Sequence, residues 1–176
     1  MFIVISGPMT SGKSYEVIKY AQGYIDQGKK VVCVKPKLDT RNEGIWSRGG
    51  ASLEALTVDS LEGVGKHDVY IVDEAHFFEP KEVDYIEEWL KTSDVIVSGL
   101  DVGHKRELMP FYTKLYELKP DLVIQKVAQC TICKKFNAQY TQILVDGEPY
   151  TGEFESAPVE DGTYIYQARC RGCFVL

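Results

Sequence analysis

The chain has 176 residues, of which 44% are hydrophobic and 26% charged, a composition that suits one soluble domain with a small appendage. The formal net charge of -6 argues against a broad nucleic-acid or anionic-membrane surface, although a small phosphate ligand needs only local positive charge. No apolar run reaches the ~18 residues of a membrane span, and the first residues lack the features of a signal peptide. We therefore expect a cytoplasmic protein with no membrane or nucleic-acid partner.

The first part of the chain predicts a strand, a helix and a second strand. Phe2–Ser6 is a continuous apolar run, as expected of a central strand covered on both faces. A helix is predicted from Ser14 to about Asp26, and Lys30–Val34 reads as the next strand. Residues 37–55 are polar and Gly-rich without periodicity, so a mobile loop is expected there.

The same alternation continues towards residue 119. Val69–Val72 is an apolar strand, Pro80 opens a helix to about Lys91, and Val95–Leu100 is a further strand. Alternating strands and helices predict an α/β fold, with a parallel sheet and helices on both faces. We assign this domain to residues 1–125.

After Val123 the pattern changes to that of a small β module, assigned to residues 126–176. Strand-like stretches at Tyr140–Val145 and Tyr164–Gln167 surround a centre rich in Gly, Glu and Pro. Two C-x-x-C pairs lie near the two ends of the module.

A phosphate-binding loop is the strongest motif, because residues 7–14 fit G-x-x-x-x-G-K-[ST] in full. The glycines let backbone N–H groups face a β-phosphate, and the following helix adds its positive end. Lys13 can reach the β- and γ-phosphate oxygens, and the Ser14 hydroxyl can bind Mg²⁺. A chance match to a Gly-containing turn is the alternative, which the preceding strand and following helix disfavour. The predicted nucleotide-binding residues of the loop are Gly7, Pro8, Met9, Thr10, Ser11, Gly12, Lys13 and Ser14.

An acidic pair, Asp73-Glu74, directly follows the third strand. One carboxylate at the end of a neighbouring strand can hold Mg²⁺, and a second can orient or deprotonate a nucleophile. Two acids capping a surface loop are the alternative. Residues 73–76 also spell D-E-A-H, but a helicase of that kind needs two motor lobes, and the acidic balance is wrong for tracking nucleic acid.

The four late cysteines, Cys130, Cys133, Cys170 and Cys173, suit a tetrahedral zinc site. Four thiolates leave no open position, so the metal would be structural, and it would stabilise a module too small for a sufficient core. A redox dithiol or four free core cysteines are the alternatives. Cys33 lies within a strand and is most simply a buried small hydrophobe.

Taken together, the phosphate loop, the D-E-[AG]-x-F-F segment at 73–78 and the two late knuckles resemble the type II thymidine kinase family. The resemblance implies a RecA-like α/β domain and a zinc-held module whose lasso loop closes over the nucleoside. It also implies transfer of the ATP γ-phosphate, with Mg²⁺, to the 5′-hydroxyl of deoxythymidine or a close pyrimidine deoxynucleoside. Members of the family are commonly tetramers, so a homotetramer is expected.

Roles for individual residues follow from the same resemblance. Glu74 falls at the general base and Asp73 at the Mg²⁺ carboxylate. Lys35-Pro36 and Asp39-x-Arg41 resemble K-P-x-x-D-x-R, which places Asp39 at the nucleotide and adds Arg41 to Lys13 and Glu74 as catalytic. The implied substrate-binding residues are Met9, Phe77, Leu100, His104, Thr141, Val159, Gly162 and Tyr166.

The chain departs from the family pattern around the acceptor. His76 stands where the family usually has Gln, and His104 where it has a phenylalanine against the base. Either histidine could stack on a pyrimidine or be an ordinary solvated residue. Asp161 replaces a lasso glycine, and Ala168-Arg169 replaces the usual Pro-Val. These changes leave open a different or modified nucleoside, or a non-catalytic nucleotide-binding relative.

Overall fold

The computed structural model describes residues 1–39, 44–152 and 163–176. Within these ranges the helices are α1 (Lys13–Asp26), α2 (Val83–Leu90) and α3 (Pro110–Glu117). The strands in chain order are β1 (Phe2–Ser6), β2 (Val31–Pro36), β3 (Ile45–Trp46), β4 (Ser52–Leu53), β5 (Leu56–Val58), β6 (Val69–Val72), β7 (Asp94–Gly99), β8 (Leu122–Gln125), β9 (Ala128–Gln129), β10 (Phe136–Ala138), β11 (Tyr140–Val145), β12 (Glu148–Pro149) and β13 (Tyr164–Arg169).

A six-stranded sheet in the order β5-β2-β6-β7-β1-β8 forms the centre of the molecule. Every pairing in it is parallel. All residues of β1 and β6 are buried, since side chains on both faces of these strands are covered. The predicted parallel sheet is therefore confirmed.

The helices cover opposite faces of this sheet. On one face Val17 and Ala21 of α1 pack against Ile3 and Ile71. On the other face α2 and α3 bury an aromatic-rich layer, which includes Trp89 of α2 and Phe111 of α3, against alternate residues of the same strands. This arrangement confirms the predicted helices on both faces. No helix within the described ranges is both long enough and apolar enough to span a bilayer.

The prediction of a loop without regular structure over residues 37–55 is wrong for its second half. β3 and β4 form an antiparallel hairpin in which Ile45 pairs with Leu53. Ile45 is buried in the α1-facing core, and this anchor explains why the hairpin forms. Each strand has only two residues, too short to produce a period in the sequence. Residues 40–43 lie outside the described ranges.

A small antiparallel module follows β8. β9 pairs with β10, and β11 lies between β12 and β13. A separate core cluster of this module is built from alanines and cysteines: Ala128, Cys130, Ala138, Ala168 and Cys170. Such small side chains bury little apolar surface, so the module needs a further source of stability.

A buried carboxylate, Glu82, ties the segment after β5 to the start of α2. It accepts hydrogen bonds from the Ser60 hydroxyl at 2.8 Å and from the Leu61 N–H at 2.7 Å. Glu82→Ala leaves the buried Leu61 N–H without its acceptor, so we expect the free energy of unfolding to fall by about 1–3 kcal/mol. Urea denaturation measures this loss. Glu87→Ala, at an exposed position of α2, is the control, and equal losses in both variants would contradict the prediction.

Candidate active site

The carboxyl ends of β1, β6 and β7 meet at one edge of the sheet, because these strands are parallel neighbours. β1 leads into the phosphate loop, β6 into Asp73-Glu74, and β7 into Leu100. The loop, Glu74 and Leu100 line one cavity of about 620 Å³ together with the hairpin tip at 46–49. The structure thus brings the two predicted motifs to a single cleft.

The backbone of the phosphate loop adopts conformations that explain its glycines. Gly7 has a φ of +142°, and a Cβ there would lie 2.4 Å from the Lys126 carbonyl oxygen. Gly12 has a φ of +83° immediately before α1. Lys13 is buried at the first position of the helix, where its Nζ donates to the Pro8 carbonyl at 2.9 Å. Ser14 is half-buried and lines the cavity.

The junction after β8 is attached closely to this loop. The Lys126 N–H donates to the Ser6 carbonyl at 2.7 Å, and its Nζ donates to Glu16 at 2.9 Å. Lys126 therefore contacts Ser6, before the loop, and Glu16, after it, and its carbonyl oxygen lies close to Gly7 at the start of the loop.

Asp73 is a buried acid whose Oδ1 has no hydrogen-bond partner among the described residues. Burial, followed by the charge of Glu74, raises the pKa of Asp73 to about 7, although the nearby Ser98 hydroxyl, the Glu74 N–H and the charge of Lys13 partly oppose the shift. Oδ1 therefore lacks, among the described residues, the hydrogen bond that a buried carboxylate oxygen requires.

The raised pKa of Asp73 predicts a pH-dependent stability. In metal-free protein the folded state keeps this proton up to about pH 7, whereas the unfolded chain releases it near the ordinary value of 3.8. The free energy of unfolding should therefore fall as the pH rises from about 4 to 7. Asp73→Asn removes the titrating carboxyl, so the free energy of unfolding should depend less on pH in this variant. Asp59→Asn, at an exposed position, should keep the pH dependence of the wild type. Urea titrations with a chelator at pH 5, 6 and 7 test the difference, and parallel curves for wild type and Asp73→Asn would refute it.

Glu74 occupies a turn at the end of β6 with a left-handed φ of 49°. Its side chain is 13% exposed, and its Oε2 lies 3.6 Å from His76 Nδ1. The Leu100 N–H donates to the same Nδ1 at 3.3 Å. The His76 ring also packs against Phe77, with centroids 4.0 Å apart. His76 is therefore buried beside the acid, and the alternative of a solvated histidine is wrong.

His104 is also buried, so a solvated role is wrong for this residue as well. Its Nε2 lies 2.9 Å from the Gly152 carbonyl oxygen, which only accepts, so the Nε2–H donates. The ring lies beside Tyr150, with centroids 5.5 Å apart. The structure thus places His104 against residues 150–152, and it is not among the residues that line the cavity around the phosphate loop.

The described ranges include three further residues that were predicted to bind substrate. Thr141 Oγ1 accepts the Met9 N–H at 3.0 Å, which joins β11 to the phosphate loop. Phe77 is half-buried after Glu74, and Tyr166 of β13 pairs with Ile143 of β11. The remaining predicted site residues, Arg41, Val159 and Gly162, lie outside the described ranges, as does Asp161.

Two features of the structure were not predicted from sequence. Lys35 is 2% exposed and forms an ion pair with Asp39 at 3.1 Å. Lys35 lies in β2 and Asp39 follows the turn after it, so the helical i, i+4 rule does not apply to this pair and no local pattern predicted it. The hairpin tip at 46–49 lines the cavity, and the only hint was the apolar pair Ile45-Trp46 within a polar segment.

The four late cysteines form a group able to hold a metal ion. Their sulfur atoms all lie within 4.8 Å of one another, and Cys133 and Cys170 Sγ are 3.8 Å apart. Tetrahedral Zn–S bonds of about 2.3 Å separate sulfurs by about 3.8 Å. Burial opposes ionisation of Cys130, but N–H groups of Cys133, Cys170 and Ile132 outweigh it and lower its pKa to about 6. A thiolate is the form that binds metal.

Comparison with known proteins agrees with this geometry. The family model described as "Thymidine kinase" matches residues 1–174. A thymidine kinase of Pyrobaculum aerophilum is 31% identical over 187 residues, covering 100% of this chain and 99% of that protein. Thymidine kinases of Mycoplasma mobile and Coprothermobacter proteolyticus are each 34% identical, covering 97% and 95% of this chain and 84% and 86% of theirs. The phosphate loop, the acidic pair and the four-cysteine group thus occur in a chain that belongs to the thymidine kinase family.

Proposed function

We propose that this protein is a thymidine kinase, which transfers the γ-phosphate of ATP to the 5′-hydroxyl of deoxythymidine or a close pyrimidine deoxynucleoside. The observation that carries the proposal is that Glu74 and the phosphate loop line the same cavity. Family membership, with relatives named thymidine kinase along nearly the whole chain, supports the choice of acceptor.

The phosphate loop is proposed to bind the triphosphate. Its residues, 7–14, open directly into α1, so backbone N–H groups and the helix N-terminus converge on one anion site. Lys13, buried at the first helical position, can exchange its bond to the Pro8 carbonyl for phosphate oxygens. Asp39, held by Lys35, is proposed to support the nucleotide side of the cleft.

The residues present fit a magnesium ion accompanying ATP. Asp73 offers a buried oxygen without a hydrogen-bond partner among the described residues. It directly precedes Glu74, which lines the cleft together with Ser14. Hard oxygen ligands of this kind are those that Mg²⁺ prefers. Mg²⁺, when bound, would neutralise phosphate charge.

Glu74 is proposed as the general base. Its carboxylate is only partly exposed and faces the cavity, so it can accept the proton of a bound 5′-hydroxyl as that oxygen attacks the γ-phosphorus. Lys13 and Arg41 are proposed to neutralise the charge on the transferred group, and positioning with such neutralisation supplies most of the catalysis in phosphoryl transfer.

The nucleoside is proposed to bind beside Glu74, on the side facing β11. Leu100 lines the cavity, and Thr141 contacts Met9 in the phosphate loop. The proposed nucleoside contacts are Met9, Phe77, Leu100, His104, Thr141, Val159, Gly162 and Tyr166.

We further propose that the chain divides into an ATP-binding domain at 1–125 and a module at 126–176 held by structural Zn²⁺ on the four cysteines. The cluster geometry supports the metal, and the small alanine-rich core supports its structural role. A homotetramer in the cytoplasm is the proposed state.

A nucleoside panel tests the proposed function directly. Purified protein with ATP and Mg²⁺ is offered thymidine, deoxyuridine, deoxycytidine, purine deoxynucleosides and modified pyrimidines, and each 5′-monophosphate is quantified by chromatography. We expect thymidine to give the highest kcat/KM and Lys13→Ala to give no product. Efficient phosphorylation of another acceptor, with neither thymidine nor deoxyuridine converted, would overturn the substrate assignment. ATP hydrolysis stimulated by DNA would overturn the kinase assignment.

A further inference from the structure

The loop between β7 and α3, residues 101–109, is held in one shape by its own backbone. The Gly103 N–H donates to the Glu107 carbonyl and the Met109 N–H to the Asp101 carbonyl, both at 2.8 Å. Val102 and Leu108 form an isolated antiparallel bridge. A loop closed in this way can present side chains at fixed positions.

Arg106 reaches from this loop to the C-terminal module. Its guanidinium carbon lies 4.6 Å from the Tyr140 ring centroid and 5.2 Å from that of Phe174. The two rings pack edge-on to each other, 5.4 Å apart. Its Nη2 is buried without a hydrogen-bond partner among the described residues. Contact with aromatic faces is therefore the interaction that the structure gives this end of the side chain, as in cation–π pairs.

The residues that Arg106 contacts are connected to the phosphate loop and to the four-cysteine group. Tyr140 immediately precedes Thr141, whose Oγ1 accepts the Met9 N–H at 3.0 Å. Phe174 immediately follows Cys173, a member of the four-cysteine group. Arg106 thus contacts both β11, through Tyr140, and the end of the second knuckle, through Phe174. Tyr140 is the neighbour of Thr141, which is hydrogen-bonded to the phosphate loop.

His104 makes a second contact from the same loop. Its Nε2–H donates to the Gly152 carbonyl, and its ring lies beside Tyr150. Tyr150 in turn packs edge-on against Tyr164 at the start of β13, 5.6 Å away. A phenylalanine at position 104 could provide the ring contact but not the hydrogen bond.

We propose that residues 101–109 form a two-point brace, in which Arg106 and His104 position the C-terminal module against the phosphate loop. Arg106 fixes β11, and with it Thr141 against Met9, while His104 fixes residues 150–152. Both are positioning residues that act through Thr141 and Gly152. The expected effect on thymidine phosphorylation rests on the proposed function, whereas the bracing itself does not.

Hydrogen exchange and kinetics of Arg106 variants test the first contact. In full-length metal-loaded protein, Arg106→Ala should make the Met9 amide and the β11 amides exchange about tenfold faster. The KM for thymidine should rise about threefold to tenfold, while kcat and the KM for ATP change less than about twofold. Arg106→Lys keeps the charge but not the planar face, so it should give smaller changes in the same direction. Arg171→Ala, at an exposed position of the module, should leave all values unchanged.

Unchanged exchange and unchanged thymidine KM in folded Arg106→Ala would overturn the brace. If Arg106→Ala does not fold, Arg106→Lys decides, because wild-type exchange in that variant would equally refute the role of the planar contact.

A pair of His104 variants tests the second contact. His104→Gln retains an N–H donor near the Nε2 position, whereas His104→Phe retains a ring without the donor. Without nucleoside, His104→Phe should speed exchange of the amides at 148–152, and His104→Gln should restore slow exchange. Slow exchange in His104→Phe, with only thymidine affinity altered, would overturn the bracing role of His104 and leave it as a nucleoside contact alone. Because exchange is measured without nucleoside, failure of the thymidine assignment is distinguishable from failure of the brace.

Discussion

Glu74→Gln is expected to lower kcat for thymidine phosphorylation by about 10²- to 10⁴-fold. Glutamine has the same shape as glutamate but cannot accept the proton of the 5′-hydroxyl. The left-handed turn at position 74 and the surrounding burial should remain, because the change is isosteric. Binding of ATP and thymidine, measured by calorimetry, should therefore stay within about threefold of wild type, since only the proton-accepting step is removed.

The matched control for this experiment is Glu79→Gln in the segment that follows. Glu79 is 70% exposed and pairs with Lys81 at the surface, so kcat should not change. A Glu74→Gln enzyme with near-normal kcat would contradict the general-base role. A loss of thymidine binding as large as the loss of kcat would indicate that Glu74 holds the substrate instead.

Cys130→Ser is expected to release the metal and unfold the C-terminal module. Structural zinc sites supply about 10–16 kcal/mol of apparent binding free energy, and the alanine-rich core of this module cannot replace that amount. Metal content should fall from about one ion per chain to near zero. Thymidine phosphorylation should be lost with it, because four of the proposed nucleoside contacts belong to the same module: Thr141, Val159, Gly162 and Tyr166.

The parallel sheet should survive this change, since its two cores do not include the cysteine cluster. Hydrogen exchange should accordingly accelerate across β9–β13 but not across β1, β6 and β7. Cys33→Ala is the control, because Cys33 lies in β2 away from the cluster and its loss should leave metal content unchanged. A Cys130→Ser protein that keeps its metal and its activity would contradict the structural zinc proposal.

The central sheet was predictable because its signals are local. Phe2–Ser6 and Val69–Val72 are continuous apolar runs, and a strand covered on both faces needs nothing else. The edge strands β5 and β8 were not predicted. Both are short and partly exposed, with Leu56 and Val123 open to solvent, so burial imposes little pattern on them.

The part of the candidate site that consists of contiguous motifs was also predictable, whereas its long-range contacts were not. The phosphate loop and Asp73-Glu74 are contiguous motifs, and the parallel order of β1, β7 and β6 brings them together. The contact between His104 and Gly152 joins residues 48 positions apart, and no local pattern encodes it. The contact of Arg106 with the Tyr140 ring also joins residues that are far apart in sequence. The substitution of histidine for phenylalanine indicated only that position 104 departs from the family.

Lys126 connects the phosphate loop to the segment that carries the four late cysteines. Its N–H and Nζ donate to Ser6, before the phosphate loop, and to Glu16, after it. Its carbonyl oxygen lies so close to Gly7 that a Cβ there would be 2.4 Å away. We therefore expect a change in the shape of the phosphate loop to move Lys126, the first residue of the segment that carries the four late cysteines. Nucleotide binding at the phosphate loop should accordingly be coupled to the position of residues 126–176 through the contacts of Lys126.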